Sequence, residues 1–413
     1  MAGITKNLFY STLLTSAHYV FPLLVYPYVS RVLGVGNIGL VSFIDSIATY
    51  FILFSMMGIS IVGVRETARA RGDRARLGEA ARSLLALNGL LTLACLVGMA
   101  AATILVPQLA QNWRMMLVGM SKLVFNLFLI EWIYRGLEDF RYVTLRSLAI
   151  RGLYVVGVFV FVRDAGDTLV YYVLTMLVVV VTAAVNMVRS RRLLSWTGPV
   201  SLRRYARPFF GFGMYTLLTT AYTTLNVAYL GFVTDDTQVG YYATAMKLMS
   251  ILISLYASFT AVMLPRMSSL AAEGEMERFG RYMRRSVVWM SLLTLPVIMA
   301  VEAYAPEVVW LLSGAGYEGA VVPIRVMMPF LLLVGLEQML TMQALVPLGR
   351  DRAILSITAV AAVVGVALNI ALVGRMGATG SAIVWAASET VLLLGASLAL
   401  RSARIYGNIR QQC

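Results

Sequence analysis

Six ionisable residues lie deep inside long apolar runs: His18, Asp45, Lys122, Lys247, Glu337 and Glu389. A charge in hydrocarbon is costly, so such residues face a cavity, pair with a counter-charge, or mark a path for protons or ions. Lys122 and Lys247 could hold an anion, because an ammonium is a compact point-charge partner for phosphate. Asp45, Glu337, Glu389 and His18 could take up and release a proton, and a histidine does so near neutral pH. Each has a plainer alternative. The lysines and Asp45 could form structural ion pairs, and His18 could be a hydrogen-bonded structural residue. Glu337 and Glu389 could be protonated and bonded to neighbouring helices. Glu131, Arg151, Glu302 and Arg325 lie nearer the ends of their runs, where a polar tip can reach the interface.

Other chemistries have no residues to carry them. There is one histidine and there are two cysteines, Cys95 inside an apolar run and Cys413 at the last position. No Cys/His cluster recommends a zinc site, and no disulfide framework or bound cofactor is expected. The Gly-x-x-x-x-Gly-Lys-Ser/Thr phosphate loop is missing, so no ATPase is built in. No serine, cysteine or metal constellation recommends a hydrolase.

The elements that position these charges are membrane helices. The 413 residues are 60% hydrophobic and 13% charged, with mean hydropathy +0.79, whereas a soluble domain carries about 25% charged residues. A crossing takes about 20 mainly apolar residues. Twelve such runs are visible: 8–30, 38–64, 84–106, 115–134, 147–162 and 168–188, then 208–232, 239–264, 286–305, 321–346, 353–373 and 380–400. The first is too long for the apolar region of a signal peptide, so it is expected to remain as an anchor. The sequence therefore predicts an all-α membrane protein with about twelve transmembrane helices.

The net charge of +14 does not point to nucleic acid, because the basic residues cluster in alternate loops. With a cytoplasmic N-terminus, 26 Lys and Arg fall in inside segments, four outside (Arg31, Arg114, Arg163, Arg375) and four within spans. That asymmetry is the positive-inside pattern, and an even number of spans puts both termini in the cytoplasm. The longest loops, near 65–83, 189–207 and 266–285, are about 20 residues and are expected to form short surface helices. None could fold as a domain, which argues against a glycosyltransferase or glycan polymerase with a large active-site loop.

The loop 189–207 divides the chain near its middle, predicting six-helix bundles over 1–200 and 201–413. Leu33-Gly34 followed by Gly36-Asn37-Ile38-Gly39 is echoed by Leu230-Gly231 followed by Gln238-Val239-Gly240. Six spans per half give parallel repeats related by a pseudo-two-fold axis along the membrane normal. Asp45 is six residues beyond Gly39 and Lys247 seven beyond Gly240, so each is expected about 10 Å below the outer end of its helix.

Five segments together carry a family resemblance. They are Tyr28-Val29-Ser30-Arg31-Val32-Leu33-Gly34 with Gly39; Gly58-Ile59 leading to Val64-Arg65-Glu66-Thr67-Ala68; Glu131-Trp132-Ile133-Tyr134-Arg135-Gly136-Leu137-Glu138-Asp139-Phe140; Gly240-Tyr241-Tyr242 with Ala245 and Lys247; and Gly377-Ala378 with Gly380, Ser388 and Glu389. Spread in order along the chain, they resemble the polysaccharide-transporter (O-antigen flippase) family of the multidrug/oligosaccharidyl-lipid/polysaccharide exporter superfamily.

The resemblance implies a V-shaped pair of bundles around a central cavity in a bacterial inner membrane. It implies a non-enzymatic flippase that moves a polyprenyl-pyrophosphate-linked oligosaccharide to the periplasmic leaflet for surface polysaccharide synthesis. A polysaccharide polymerase and a chain-length regulator are the implied partners. The cationic role of the family falls first on Lys247, with Lys122 inferred from position, Arg31 at the outer rim and Asp45 beside them. Asp45, His18, Glu337 and Glu389 are the candidates for proton or ion coupling. The rival readings are a cation-coupled drug exporter of the same superfamily, a lipid II flippase, and a membrane glycan polymerase or ligase.

Overall fold

The computed structural model describes residues 2–410, and the side chains of all of these except 2–9, 11–12, 15–16, 18–20, 208, 211–212, 214–224, 261 and 402–410. Among the described residues every regular element is helical and no β-strand occurs. A helix satisfies its backbone hydrogen bonds within one segment, which hydrocarbon demands.

Eight helices form the first part: α1 (Ala2–Met56), α2 (Ile59–Arg69), α3 (Arg74–Leu105), the short α4 (Pro107–Gln111), α5 (Trp113–Asn126), α6 (Glu131–Gly136), α7 (Phe140–Phe161) and α8 (Thr168–Leu193). Then follow α9 (Leu202–Val233), α10 (Asp236–Ala272), α11 (Met276–Ala303), α12 (Ala305–Ser313), α13 (Val321–Met327), α14 (Phe330–Gln338), α15 (Asp351–Leu368) and α16 (Gly374–Arg410). Two π-helical stretches, Met339–Leu345 and Asn369–Val373, follow α14 and α15.

Among the described residues eight helices are long and apolar enough to cross a membrane, or nine if the pair Glu318–Met327 and Phe330–Leu345, bent by 49°, is one span. Two of the eight, Phe21–Arg69 with 49 residues and Asp351–Arg401 with 51, are each long enough to cross twice. Each is broken at a glycine: Gly34 (φ 77°, ψ 168°) and Gly377 (φ 55°, ψ −132°). Positive φ of this kind is open to glycine and strained for other residues. Tyr28 and Asn37, on either side of Gly34, bond the same loop, through Val162 O at 2.7 Å and Ala165 O at 3.1 Å. At Gly377 the Gln238 amide oxygen accepts from Ala378 N at 2.9 Å. With these two read as helix pairs and α9 added, the elements are consistent with twelve crossings.

Three boundaries differ from the sequence reading. The basic loops 189–207 and 266–285 hold no separate surface helices: α8 runs to Leu193, α9 begins at Leu202, α10 runs to Ala272 and α11 begins at Met276. The loop 65–83 takes in the end of the short α2 and the start of α3. Arg146, counted above with an inside loop, lies within α7 with its side chain 4% exposed. The run 115–134 is not one helix, because Ile130 adopts a left-handed conformation (φ 38°, ψ 26°) and separates α5 from α6.

The chain divides into two compact units, Met1–Thr224 and Leu225–Cys413. In the first, Ile59, Leu84, Trp132, Ile133 and Tyr134 form a core with Tyr205 and Phe209 from the start of α9. In the second, Met267, Leu270 and Phe279 pack with Ala344, and Leu345 packs with Ile354 and Ala396.

Small residues set how closely the helices of the first unit approach. A Cβ at Gly63 would meet the Trp132 ring at 2.5 Å, and one at Gly136 would meet Thr67 Cβ at 2.6 Å. Trp132 and Gly136 both belong to the Glu-Trp segment, so part of that motif is a packing surface between α6 and α2. Gly63→Val is expected to destabilise the purified protein by about 1–3 kcal/mol through overpacking. Gly152→Ala, where a Cβ would meet nothing within 4 Å, should cost nothing. Thermal unfolding in detergent distinguishes the two, and equal melting temperatures would remove the packing argument.

Candidate charged binding site

In the first unit three helices bring polar groups together. α1 supplies Asp45, α5 supplies Lys122, and α8 supplies Tyr172 and Thr175, which share a face three residues apart. The Lys122 ammonium donates to Asp45 Oδ1 and lies 3.4 Å from Thr175 Oγ1. Tyr172 donates its hydroxyl to the same Asp45 oxygen at 3.2 Å, and the Lys122 nitrogen stands 4.7 Å from the centre of the Tyr172 ring.

The pair is uneven in exposure. Lys122 is 12% exposed and Asp45 42%, so the carboxylate faces open space and the ammonium sits behind it. An ammonium in an apolar helix needs a counter-charge, and here Asp45 supplies it. The same geometry leaves the lysine available to a competing anion whenever the carboxylate gives it up.

The remaining sequence candidates are dispersed. Arg31 is exposed on α1 and donates to Pro27 O at 2.6 Å. Lys247 is half-buried on α10, in the second unit. Glu337 accepts a hydrogen bond from Thr341 at 2.7 Å. Glu389 is 6% exposed on α16 and close enough to Glu337 for their charges to interact. The side chain of His18 lies outside the described residues.

A second ionic network joins α6, α7 and α8. Buried Arg146 donates to Glu131 and to Asn186 Oδ1, and reaches Ser147 Oγ at 3.0 Å. Tyr134 donates to Asn186 O at 2.6 Å, Tyr142 to Asn186 Oδ1 at 3.0 Å, and Asn186 itself to Leu129 O. Arg189 pairs with Asp139 at 2.6 Å and lies 4.0 Å from the centre of the Tyr142 ring. Glu131, which the sequence left between snorkelling and function, is the counter-ion of Arg146.

The second unit holds a network of neutral polar groups. Asn369, at the head of a π-helical stretch, donates to Asn226 Oδ1 at 2.6 Å and to Gly365 O at 2.8 Å, and Asn226 donates to Tyr242 at 3.3 Å. All three are buried. The sequence reading missed these asparagines because they carry no charge, and missed Tyr172 and Thr175 because tyrosine and threonine are common in apolar helices. Their helical spacing was the available signal.

Residues 4–271 match the model of a family described as polysaccharide biosynthesis protein. A candidate O-antigen transporter of Escherichia coli (strain K12) is 23% identical over 354 residues, covering 83% of each chain. Among solved structures, an inward-facing multidrug resistance transporter of the multidrug/oligosaccharidyl-lipid/polysaccharide superfamily aligns with TM-score 0.73 at 17% identity over 95% of both chains. A lipid II flippase in an inward closed conformation aligns with TM-score 0.78 at 11% identity, over 95% of this chain and 87% of that one. At these identities the structures share the fold.

Removing Glu131 alone should be more damaging than removing Arg146 with it, because a buried charge without its partner is what costs, and Arg146 is 4% exposed. Glu131→Gln is expected to lower stability by about 3–5 kcal/mol, with part recovered in Arg146→Met/Glu131→Gln. The Asp45→Asn/Lys122→Met double-mutant cycle should show a coupling of roughly 0.5–3 kcal/mol, toward the low end because Asp45 is 42% exposed. Additive effects in the thermal-unfolding cycle would mean that the two groups do not act as a pair.

Proposed function

The chain belongs to the polysaccharide biosynthesis protein family, and from that premise we propose that it flips a lipid-linked oligosaccharide across the membrane, with Lys122 holding the anionic head group. The observation that carries the reading is the Lys122–Asp45 pair, a cation deep in an apolar helix whose counter-ion is open to one side. A soluble-side carrier or a purely structural bundle has no need of such a group.

The substrate would be a polyprenyl-pyrophosphate glycan carried from the cytoplasmic to the periplasmic leaflet by alternating access. A pyrophosphate cannot cross bare hydrocarbon, whereas the polyprenyl tail can stay in lipid throughout. Asp45 and the pyrophosphate compete for the same ammonium. Asp45 is itself a candidate carrier of a proton or ion. Tyr172 and Thr175 keep the lysine oriented whichever anion holds it. Lys247 and Arg31 are the next cations for the head group, and Glu337 and Glu389 are alternative carriers of a proton or ion. Outward movement of two negative charges in an inside-negative cell gains about 5 kcal/mol per 100 mV. The orientation with both termini in the cytoplasm follows from the 26-to-4 distribution of Lys and Arg.

The test is transport by purified protein in liposomes that carry a fluorescent polyprenyl-pyrophosphate glycan. Wild type should expose the glycan on the opposite leaflet. Lys122→Ala and Lys247→Ala should each slow this at least about tenfold, the scale of one charge-assisted hydrogen bond. Lys122→Ala/Asp45→Asn, which removes the pair without stranding a charge, separates loss of binding from loss of fold. Full transport by this double variant would leave the pair a structural role. Failure of wild type across several glycans, in folded protein, would overturn the substrate class.

A further inference from the structure

A groove of about 670 Å³ opens on the surface of the first unit, lined by Tyr142 of α7 and by Ala184, Val185, Val188, Arg189 and Arg192 of α8. It takes no part in the transport reading above. Its walls are of two kinds. At the C-terminal end of α8 stand two guanidinium groups, and below them runs an apolar helix face. Leu177, Val181, Val185 and Val188 are all exposed and, spaced by four, four and three residues, lie along one side of α8 with Arg192 four residues further.

The basic end is prearranged. Asp139 holds Arg189 at 2.6 Å, and its guanidinium stacks on the Tyr142 ring at 4.0 Å. The Tyr142 hydroxyl is tied in turn to Asn186 Oδ1 at 3.0 Å. Arg192 is exposed, and among the described residues no ion pair engages its side chain. Arg189 is paired with Asp139, and the Arg74 guanidinium donates to Arg192 O, so the end of the groove is basic above an apolar face.

We propose that this groove binds one anionic phospholipid from the leaflet at the basic end of α8, with its phosphodiester at Arg192 and Arg189 and an acyl chain along Val188, Val185 and Val181. Basic pockets between membrane helices recognise acidic lipid head groups in this way. A phosphodiester with its acyl chains matches both walls at once, a basic end and an apolar helix face.

Native mass spectrometry of the full chain in detergent tests this, with phosphatidylglycerol and phosphatidylcholine as probes at equal concentration. Wild type should retain one phosphatidylglycerol in preference to phosphatidylcholine. Arg192→Gln should weaken phosphatidylglycerol binding about fivefold, the effect of one basic residue worth about 1 kcal/mol at a lipid surface. Arg191→Gln makes the same change in charge at an exposed residue outside the groove and should leave binding intact. Val185→Trp, which fills the groove and keeps the charge, should also abolish retention, and it serves if Arg192→Gln misfolds. Equal binding of the two lipids would overturn the proposal. So would equal losses in Arg191→Gln and Arg192→Gln, or displacement of phosphatidylglycerol by stoichiometric polyprenyl pyrophosphate.

Discussion

Taking a guanidinium or an ammonium out of water costs several kcal/mol even after relaxation, and a carboxylate placed within hydrogen-bonding reach offsets that cost. Arg146 and Lys122 each meet the requirement inside the first unit, through Glu131 and Asp45. The two solutions differ in consequence. Arg146 is buried among Glu131, Asn186 and Ser147, so it fastens α6 to α7 and α8. Lys122 is paired with a carboxylate that is 42% exposed, against 30% for Glu131, which makes it the more open of the two pairs and the one proposed above to exchange its partner.

The Glu131-Trp132 segment shows how a family motif can be structural. Its glutamate neutralises Arg146, its tryptophan lies on Gly63, and its glycine lets Thr67 approach. Ile130 takes a left-handed conformation just ahead of it, a backbone cost of order 1–3 kcal/mol for a non-glycine residue that persists only where surrounding contacts hold it. Those contacts are Ile130, Trp132, Ile133 and Tyr134 buried in one core with Ile59 and Val62. The motif therefore fastens α6 to α2 and α7 without touching the charged pair itself.

The second unit relies on neutral polar groups and on irregular helix. The π-helical stretches at Met339–Leu345 and Asn369–Val373 shift backbone pairing by one residue, a feature that gathers at functional positions. Asn369 opens one of them and is anchored to Asn226. Its Oδ1 and both amide atoms of Gln343 have no hydrogen-bond partner among the described residues. A membrane transporter needs helices that can change shape, and polar groups held incompletely within a π stretch are the places where such a change costs least.

The sequence by itself determined that the protein is helical and membrane-embedded, because long apolar runs leave hydrocarbon as the only solvent and hydrocarbon allows only self-satisfied backbone. It also determined the family, since five short segments in fixed order are a pattern of residue types. The gaps between the runs 8–30 and 38–64 and between 353–373 and 380–400 were legible, and the structure places the breaks at Gly34 and Gly377 within them. Which charges meet was not legible. Asp45 and Lys122 are 77 positions apart, and equal depth in the membrane would have allowed either to face any of several partners. Arg146 read as a loop cation because the count of Lys and Arg follows position along the chain and says nothing of which side of a helix faces inward. Tyr172, Thr175 and Asn186 were invisible for the same reason: their types are ordinary, and only the packing of α5 and α7 against α8 turns them into ligands for a charge. Hydropathy is a property summed along one helix, whereas an ion pair depends on the rotation of two, and that angle exists only once the helices have packed.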